Sequence, residues 1–249
     1  MAKTILITGA SSGLGEEMAR QFADLGYDLA LCARRTDRLD ALKTELATGH
    51  PGQRFEVRPL DVTDDEQVFK VFHALVADLG RIDRVVVNAG VGSGAPIGTG
   101  KPGTNKQTAM TNFVAALAQI EATMEIFREQ NAGHLVVISS MSAMRGMPGA
   151  GTTYAATKAG VAHLAEGLRV ELMGTPIEVS VIYPGYIRSE MNARVRNAPF
   201  IVPTEKGVRA MVDAIERGKP RAYVPAWPWV PVGAALKYLP LPLVRRFMG

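Results

Sequence analysis

Short apolar runs alternate with amphipathic stretches along nearly the whole chain. Runs at 4–8, 28–33, 55–59, 85–88, 135–139 and 178–183 read as strands, with a short seventh at 222–224. Most are apolar almost throughout, the pattern of a parallel sheet covered on both faces. Helical spacing fills the intervals. Met18, Phe22 and Leu25 share one face after the first run, and further helices are expected over 64–79, 109–128, 154–172 and 204–217. Such alternation folds as a doubly wound α/β sheet of about seven mainly parallel strands with helices on both faces. No repeat or linker interrupts it, so residues 1–249 are expected to form one domain.

The last stretch departs from the pattern. Residues 224–232 read Val-Pro-Ala-Trp-Pro-Trp-Val-Pro-Val, with proline at every third position and both tryptophans of the chain. A short apolar helix is expected over 233–239, followed by an apolar run at 241–248 with two arginines. The repeated prolines and Lys237 argue against a spanning helix. Three readings of 224–249 stay open. They are packing on its own domain or another subunit, a lid that makes the substrate site apolar, and membrane-surface contact through Trp, Leu and Arg.

Composition narrows the class. The chain has 249 residues, 47% apolar and 21% charged, enough for one large soluble domain with a real core. Cys32 is the sole cysteine, so no intrachain disulfide forms, and its place in a strand suits a small buried apolar residue. Histidines 50, 73, 134 and 163 form no ligand spacing, and no metal is expected. The first strand starts almost at Met1, leaving no room for a signal peptide, and a cytoplasmic enzyme is expected. The net charge of +4 invites a nucleic-acid reading. However, Lys43, Lys70 and Arg128 look like solvated helix faces, so no nucleic-acid partner is expected.

Two motifs carry chemistry. The first strand runs into Gly9-Ala10-Ser11-Ser12-Gly13-Leu14-Gly15 and then a helix. Strand, glycine turn and helix N-terminus together make a pyrophosphate cradle, because backbone N–H groups and the helix dipole face the anion. The glycines let the backbone turn and approach without a Cβ in the way. This is the architecture of a Rossmann-type dinucleotide site, although the spacing is Gly-x-x-x-Gly-x-Gly. Later, Tyr154 and Lys158 stand four residues apart and share one helix face. A free phenol has a pKa of about 10, and a neighbouring ammonium lowers it, giving an acid/base group for cellular pH. The glycine-rich loop 92–103 could flank the site. It is not a phosphate loop, since Pro102 follows Gly100-Lys101 where Ser or Thr is needed.

These motifs occur with Leu60-Asp61-Val62, Asn88-Ala89-Gly90, Asn112, Ile138-Ser139-Ser140 and Pro184-Gly185, in an order and spacing that resemble the short-chain dehydrogenase/reductase family over nearly the whole chain. The resemblance implies an oxidoreductase that moves hydride between a nicotinamide and a carbonyl or secondary alcohol, working as a homodimer or homotetramer. It implies that Tyr154 is the general acid/base and that Lys158 tunes it and holds the nicotinamide ribose. Ser140 would bind the substrate oxygen, and Asn112 would position a proton-relaying water. Ser140 lies fourteen residues before Tyr154, where thirteen is commoner in the family, so Ser139 and Ser142 remain alternatives. Asp61 and Val62 would meet the adenine, with a turn or N-cap role equally open to Asp61. Asn88 would hold neighbouring strands while Ala89 and Gly90 line the cofactor. Pro184, Gly185 and Ile187 would lie at the nicotinamide and Ser189 near the pyrophosphate. Residues 189–202 would cover the substrate, and Met191, Val195, Phe200 and Ile201 suit either an apolar pocket or core packing.

The second strand decides the expected cofactor. Ala33 stands where NAD-preferring members of the family carry Asp, and Arg34 and Arg35 follow. A guanidinium fork binds a 2′-phosphate through charge-assisted hydrogen bonds. NADP(H) is therefore expected, held by Arg34 with Arg35 and Ser11 as helpers. The competing readings are a non-catalytic NADP(H)-binding sensor on the same fold, or another NADP-dependent chemistry such as epimerisation.

Overall fold

The structure, a computed structural model, describes residues 3–193 and 198–248, with side chains up to residue 244. Val195 lies outside the described residues. The strands are β1 (Thr4–Thr8), β2 (Asp28–Ala33), β3 (Phe55–Pro59), β4 (Arg84–Val87), β5 (Gly133–Ile138), β6 (Ile177–Pro184) and β7 (Arg221–Val224). They form one sheet in the order β3-β2-β1-β4-β5-β6-β7, and every neighbouring pair is parallel. The expected strands are all present, with boundaries shifted by one or two residues where main-chain pairing outlasts the apolar run.

Alternate strand residues feed two cores. Leu6 of β1 faces one side, with Phe72 of α3 (Asp65–Leu79), Phe127 of α5 (Ala115–Gln130) and Val161 of α6 (Gly151–Glu171). Ile5 and Ile7 face the other, with Phe22 of α1 (Gly13–Asp24), Leu39 of α2 (Thr36–Gly49) and Met211 of α7 (Thr204–Glu216). One sequence assignment is corrected here. Leu25 is 55% exposed, because α1 ends at Asp24 and the chain leaves the face that buries Met18 and Phe22.

Two helices also differ from expectation. The helix expected over 109–128 is α4 (Pro102–Ala109), a π-helical turn over Met110–Val114, and then α5. The wider turn is a local feature that apolar periodicity does not reveal. The short helix expected over 233–239 is α8 (Ala226–Tyr238), followed by α9 (Leu241–Met248). Trp227 keeps a non-helical backbone, so Pro228 opens the regular helix, where its missing N–H is not needed.

The winding reverses between β1 and β4, opening a crevice at their carboxyl ends. Thr8 and Asn88 tie its two sides together. The Thr8 hydroxyl accepts from the Asn88 and Ala89 N–H groups, each at 3.1 Å, and the Asn88 side-chain amide donates to the Thr8 carbonyl at 2.8 Å.

Phe22→Ala should cost about 3–5 kcal/mol of unfolding free energy. Leu25→Ala should stay within about 0.5 kcal/mol of wild type. Urea titration of the two variants checks both values.

Candidate active site

A cavity of about 1130 Å³ occupies the crevice. At one end the β1–α1 turn contributes Gly9, Ser11, Ser12, Gly13 and Leu14. Gly9 and Gly13 have φ of 68° and 60°, a region L side chains rarely adopt. Ser12, the N-cap of α1, makes no side-chain cap hydrogen bond, so its hydroxyl does not occupy the helix N-terminus. Gly15 is set behind the turn, where a Cβ would overlap the Gly9 carbonyl and the Asn88 amide. Its role is close helix–strand packing. An open helix N-terminus over a turn without side chains fits a dinucleotide pyrophosphate.

The end of β2 separates the two arginines. Arg34 is exposed and lines the cavity. Arg35 lines it too, but donates to the Ser11 hydroxyl at 3.2 Å and pairs with Glu190 at 3.1 Å. Arg38 joins the same carboxylate at 2.5 Å. These arginines hold the Glu190 carboxyl below its ordinary pKa, Arg38 most strongly. The sequence reading missed Glu190, and nothing in local spacing marks an acid that pairs across more than 150 residues. Asp61 lines the cavity and accepts from the Thr63 N–H at 3.0 Å and hydroxyl at 2.8 Å. These bonds, the backbone one foremost, lower its pKa, and Arg34 adds to the effect. The helix cap itself is Asp64, which accepts from the Gln67 N–H.

Ser140, Tyr154 and Lys158 lie on the inner wall. α6 begins at Gly151, three residues ahead of the expected start, so Tyr154 and Lys158 both sit within its regular turns. The Lys158 ammonium donates to the Ile138 carbonyl at 2.8 Å and stands 6.0 Å from the Tyr154 ring centroid. Burial lowers its pKa to about 8. The expected net lowering of the Tyr154 pKa does not result: burial outweighs what favours the phenolate and raises it, with the nearby Ser140 hydroxyl pulling the other way. The three candidate serines have distinct surroundings. Ser139 is buried and donates to the Lys158 carbonyl at 2.8 Å, tying β5 to α6. Ser142 lines the cavity and its N–H donates to the Ser140 hydroxyl at 3.1 Å. Ser140 is the one whose hydroxyl lies near enough to the Tyr154 phenol to oppose the rise in its pKa.

Asn112 lies in the π-helical turn. It is buried, and its side-chain amide is spent on the Val91 backbone, accepting from the N–H at 2.8 Å and donating to the carbonyl at 2.9 Å. The π-helical turn carries it there, and Thr111 reaches the cavity wall instead. Asn112 thus positions the loop that follows Gly90.

Val62, Asn88, Ala89 and Gly90 line the middle of the cavity, Ser189 lies beside the β1–α1 turn at Gly13, and Pro184, Gly185 and Ile187 line the far wall. Met191 and Phe200 line it as well, while Ile201 does not. α8 closes this end with Trp229, Val232, Ala235 and Leu236. A Cβ on Gly185 would overlap the Trp229 indole, so the two elements touch directly. Of the three readings of the C-terminal stretch, packing on its own domain is met by α8, whose Trp229 joins the core cluster and touches Gly185, and the same inner face lines the cavity. Among the described residues no cluster of side chains could hold a metal ion, and no helix is long and apolar enough to cross a membrane.

Comparison with known proteins agrees with this geometry. The short chain dehydrogenase family model matches residues 3–199. An uncharacterized oxidoreductase of Mycobacterium tuberculosis is 54% identical over 243 residues, 98% of this chain and 96% of that protein. Among solved structures, a short-chain dehydrogenase from Sphingobium yanoikuyae in complex with NADPH is similar with a TM-score of 0.83 and 29% identity, covering 98% of this chain and 94% of that one. A short chain dehydrogenase/reductase from Burkholderia phymatum in complex with NAD shares the fold at a TM-score of 0.84 and 21% identity, covering 100% and 96%. The chain belongs to the short-chain dehydrogenase/reductase family. It is an oxidoreductase that works with a nicotinamide dinucleotide.

Lys158 binds its proton more weakly folded, with a pKa of about 8, than unfolded, where the ordinary value is 10.5. The unfolded chain therefore holds more protons between these values, and folded stability rises with pH across that window. Relative to Lys158→Met, the wild type should gain up to about 3 kcal/mol from pH 8 to 10.5. Urea unfolding of both proteins across this range reads the difference.

Proposed function

We propose that the chain is an NADP(H)-dependent carbonyl reductase or alcohol dehydrogenase acting on an apolar substrate. One observation carries the reading: Ser140, Tyr154 and Lys158 share a cavity whose other end holds an open phosphate cradle and the exposed Arg34. The α1 N-terminus with Gly9, Ser11, Ser12, Gly13 and Leu14 would hold the pyrophosphate, Ser189 standing close by. Arg34 would take the 2′-phosphate. Asp61 and Val62 would meet the adenine, and Ala89, Gly90, Pro184, Gly185 and Ile187 the rest of the dinucleotide. When bound, the nicotinamide supplies or accepts hydride.

The protein's part is acid/base and electrostatic. The Tyr154 phenol is protonated at neutral pH, as an ordinary phenol is, and can donate to a carbonyl oxygen as that oxygen gains charge. The Ser140 hydroxyl orients the same oxygen. The Lys158 ammonium favours the phenolate left behind, an attraction that grows as the proton leaves. In oxidation the proton returns to Tyr154. Met141, Met147 and the inner face of α8 exclude water and favour an apolar substrate. The reading includes a cytoplasmic homodimer or homotetramer without a nucleic-acid partner, in keeping with the family resemblance.

The test is NADPH consumption against carbonyl compounds graded from small ketones to long-chain and steroidal ones. Tyr154→Phe should lose about 10²–10⁴-fold in turnover. Retained activity in that variant would remove Tyr154 as the acid. Tight NADPH binding without turnover on any carbonyl would favour a sensor.

Arg34→Ala should weaken NADPH binding by about ten- to a hundredfold and leave NADH binding unchanged. Arg35→Ala should do less, since Ser11 and Glu190 already engage that side chain. Fluorescence titration with each dinucleotide separates the two.

A further inference from the structure

The C-terminal helices have apolar residues on both sides. Trp229, Gly233 and Leu236 turn inward and are buried. Val230, Ala234 and Tyr238 follow one another at helical steps on the opposite side. Trp227 is 80% exposed, Tyr238 78% and Leu241 68%. An apolar helix with an uncovered apolar side needs either a protein or a lipid partner.

The charges around this surface choose between them. From residue 222 to 249 there is no Asp or Glu, while Lys237, Arg245 and Arg246 are present. Arg145 adds a cation beside Lys237, donating to its carbonyl at 3.1 Å. A second copy docked here about a two-fold axis would set basic segment against basic segment. An anionic lipid surface complements the same charges, and Trp and Tyr side chains suit the boundary between headgroup and acyl chain. No described helix could span a bilayer, so the contact lies on the surface.

The cavity rim beside α8 is apolar as well. Phe200 and Tyr186 pack on Trp229 with ring centroids 6.0 and 5.9 Å away. Both line the cavity, and Phe200 is itself 58% exposed. We infer that α8 and α9 dock on an anionic membrane surface with the cavity rim against the lipid, and that the carbonyl or alcohol substrate is a lipid-like molecule dissolved in that membrane. The substrate clause rests on the reductase reading, whereas the docking clause does not.

The full chain is sedimented with vesicles of phosphatidylcholine alone and with added phosphatidylglycerol, at low and high salt. Binding should require the anionic lipid, fall with salt and shift tryptophan emission to the blue. The triple variant Trp227→Ala, Tyr238→Ala, Leu241→Ala should bind at least about tenfold more weakly. Lys237→Glu should weaken binding to anionic vesicles alone. None of these four side chains lines the cavity, so NADPH binding should be unchanged and reports intact folding. Failure to bind either vesicle, or binding indifferent to the variants, overturns the docking. So does a dimer in solution that the triple variant splits, which would make the surface a contact between copies. A long-chain ketone should be reduced faster from anionic vesicles than from neutral ones, and equal rates overturn the substrate clause.

Discussion

Seven parallel strands must all end on the same edge of the sheet, and each must be followed by a crossover that covers one face. Where the winding reverses, the crossovers after β1 and β4 leave in opposite directions and nothing covers the strand ends. The remaining chemistry depends on this gap. It exposes the N-terminus of α1 on one side and the wall formed by β5 and α6 on the other. Thr8 and Asn88 keep the gap at a fixed width by bonding side chain to backbone across it. The sheet thus supplies a rigid frame, and the loops after its strands supply the reactive groups.

Burial then sets the electrostatics. Lys158 is buried and Tyr154 half-buried on the cavity wall, and desolvation opposes the charged form of each. The phenol is kept neutral, while the amine is brought close to the working pH. Ser140 and the Ile138 carbonyl are the polar partners that make this burial tolerable. The Ser139 hydroxyl and the Asn112 side-chain amide bond to backbone, at Lys158 and at Val91, and hold those segments in place.

The C-terminal helices finish the site from outside the family-wide core. The short chain dehydrogenase match ends at residue 199, and α8 lies beyond it. Trp229 reaches Gly185 at the end of β6 because that glycine has no side chain to hold it off. One face of α8 therefore belongs to the cavity, and the other is exposed.

Apolar runs and glycines were enough to specify the parallel sheet, the phosphate turn and the Tyr154–Lys158 face, because each is written in residues a few positions apart. The strands at 4–8 and 28–33 needed no tertiary information, since their burial on both faces is visible as continuous hydrophobicity. The register that brings Glu190 to Arg35 and Arg38, the π-helical turn that points Asn112 at Val91, and the contact of Trp229 with Gly185 were not legible. Each joins residues far apart in the chain or alters a helix without altering its apolar period. The direction of the Tyr154 shift was misjudged for the same reason. Spacing shows which residues are neighbours on a helix, whereas how much water reaches them is decided by everything the folded chain packs around them.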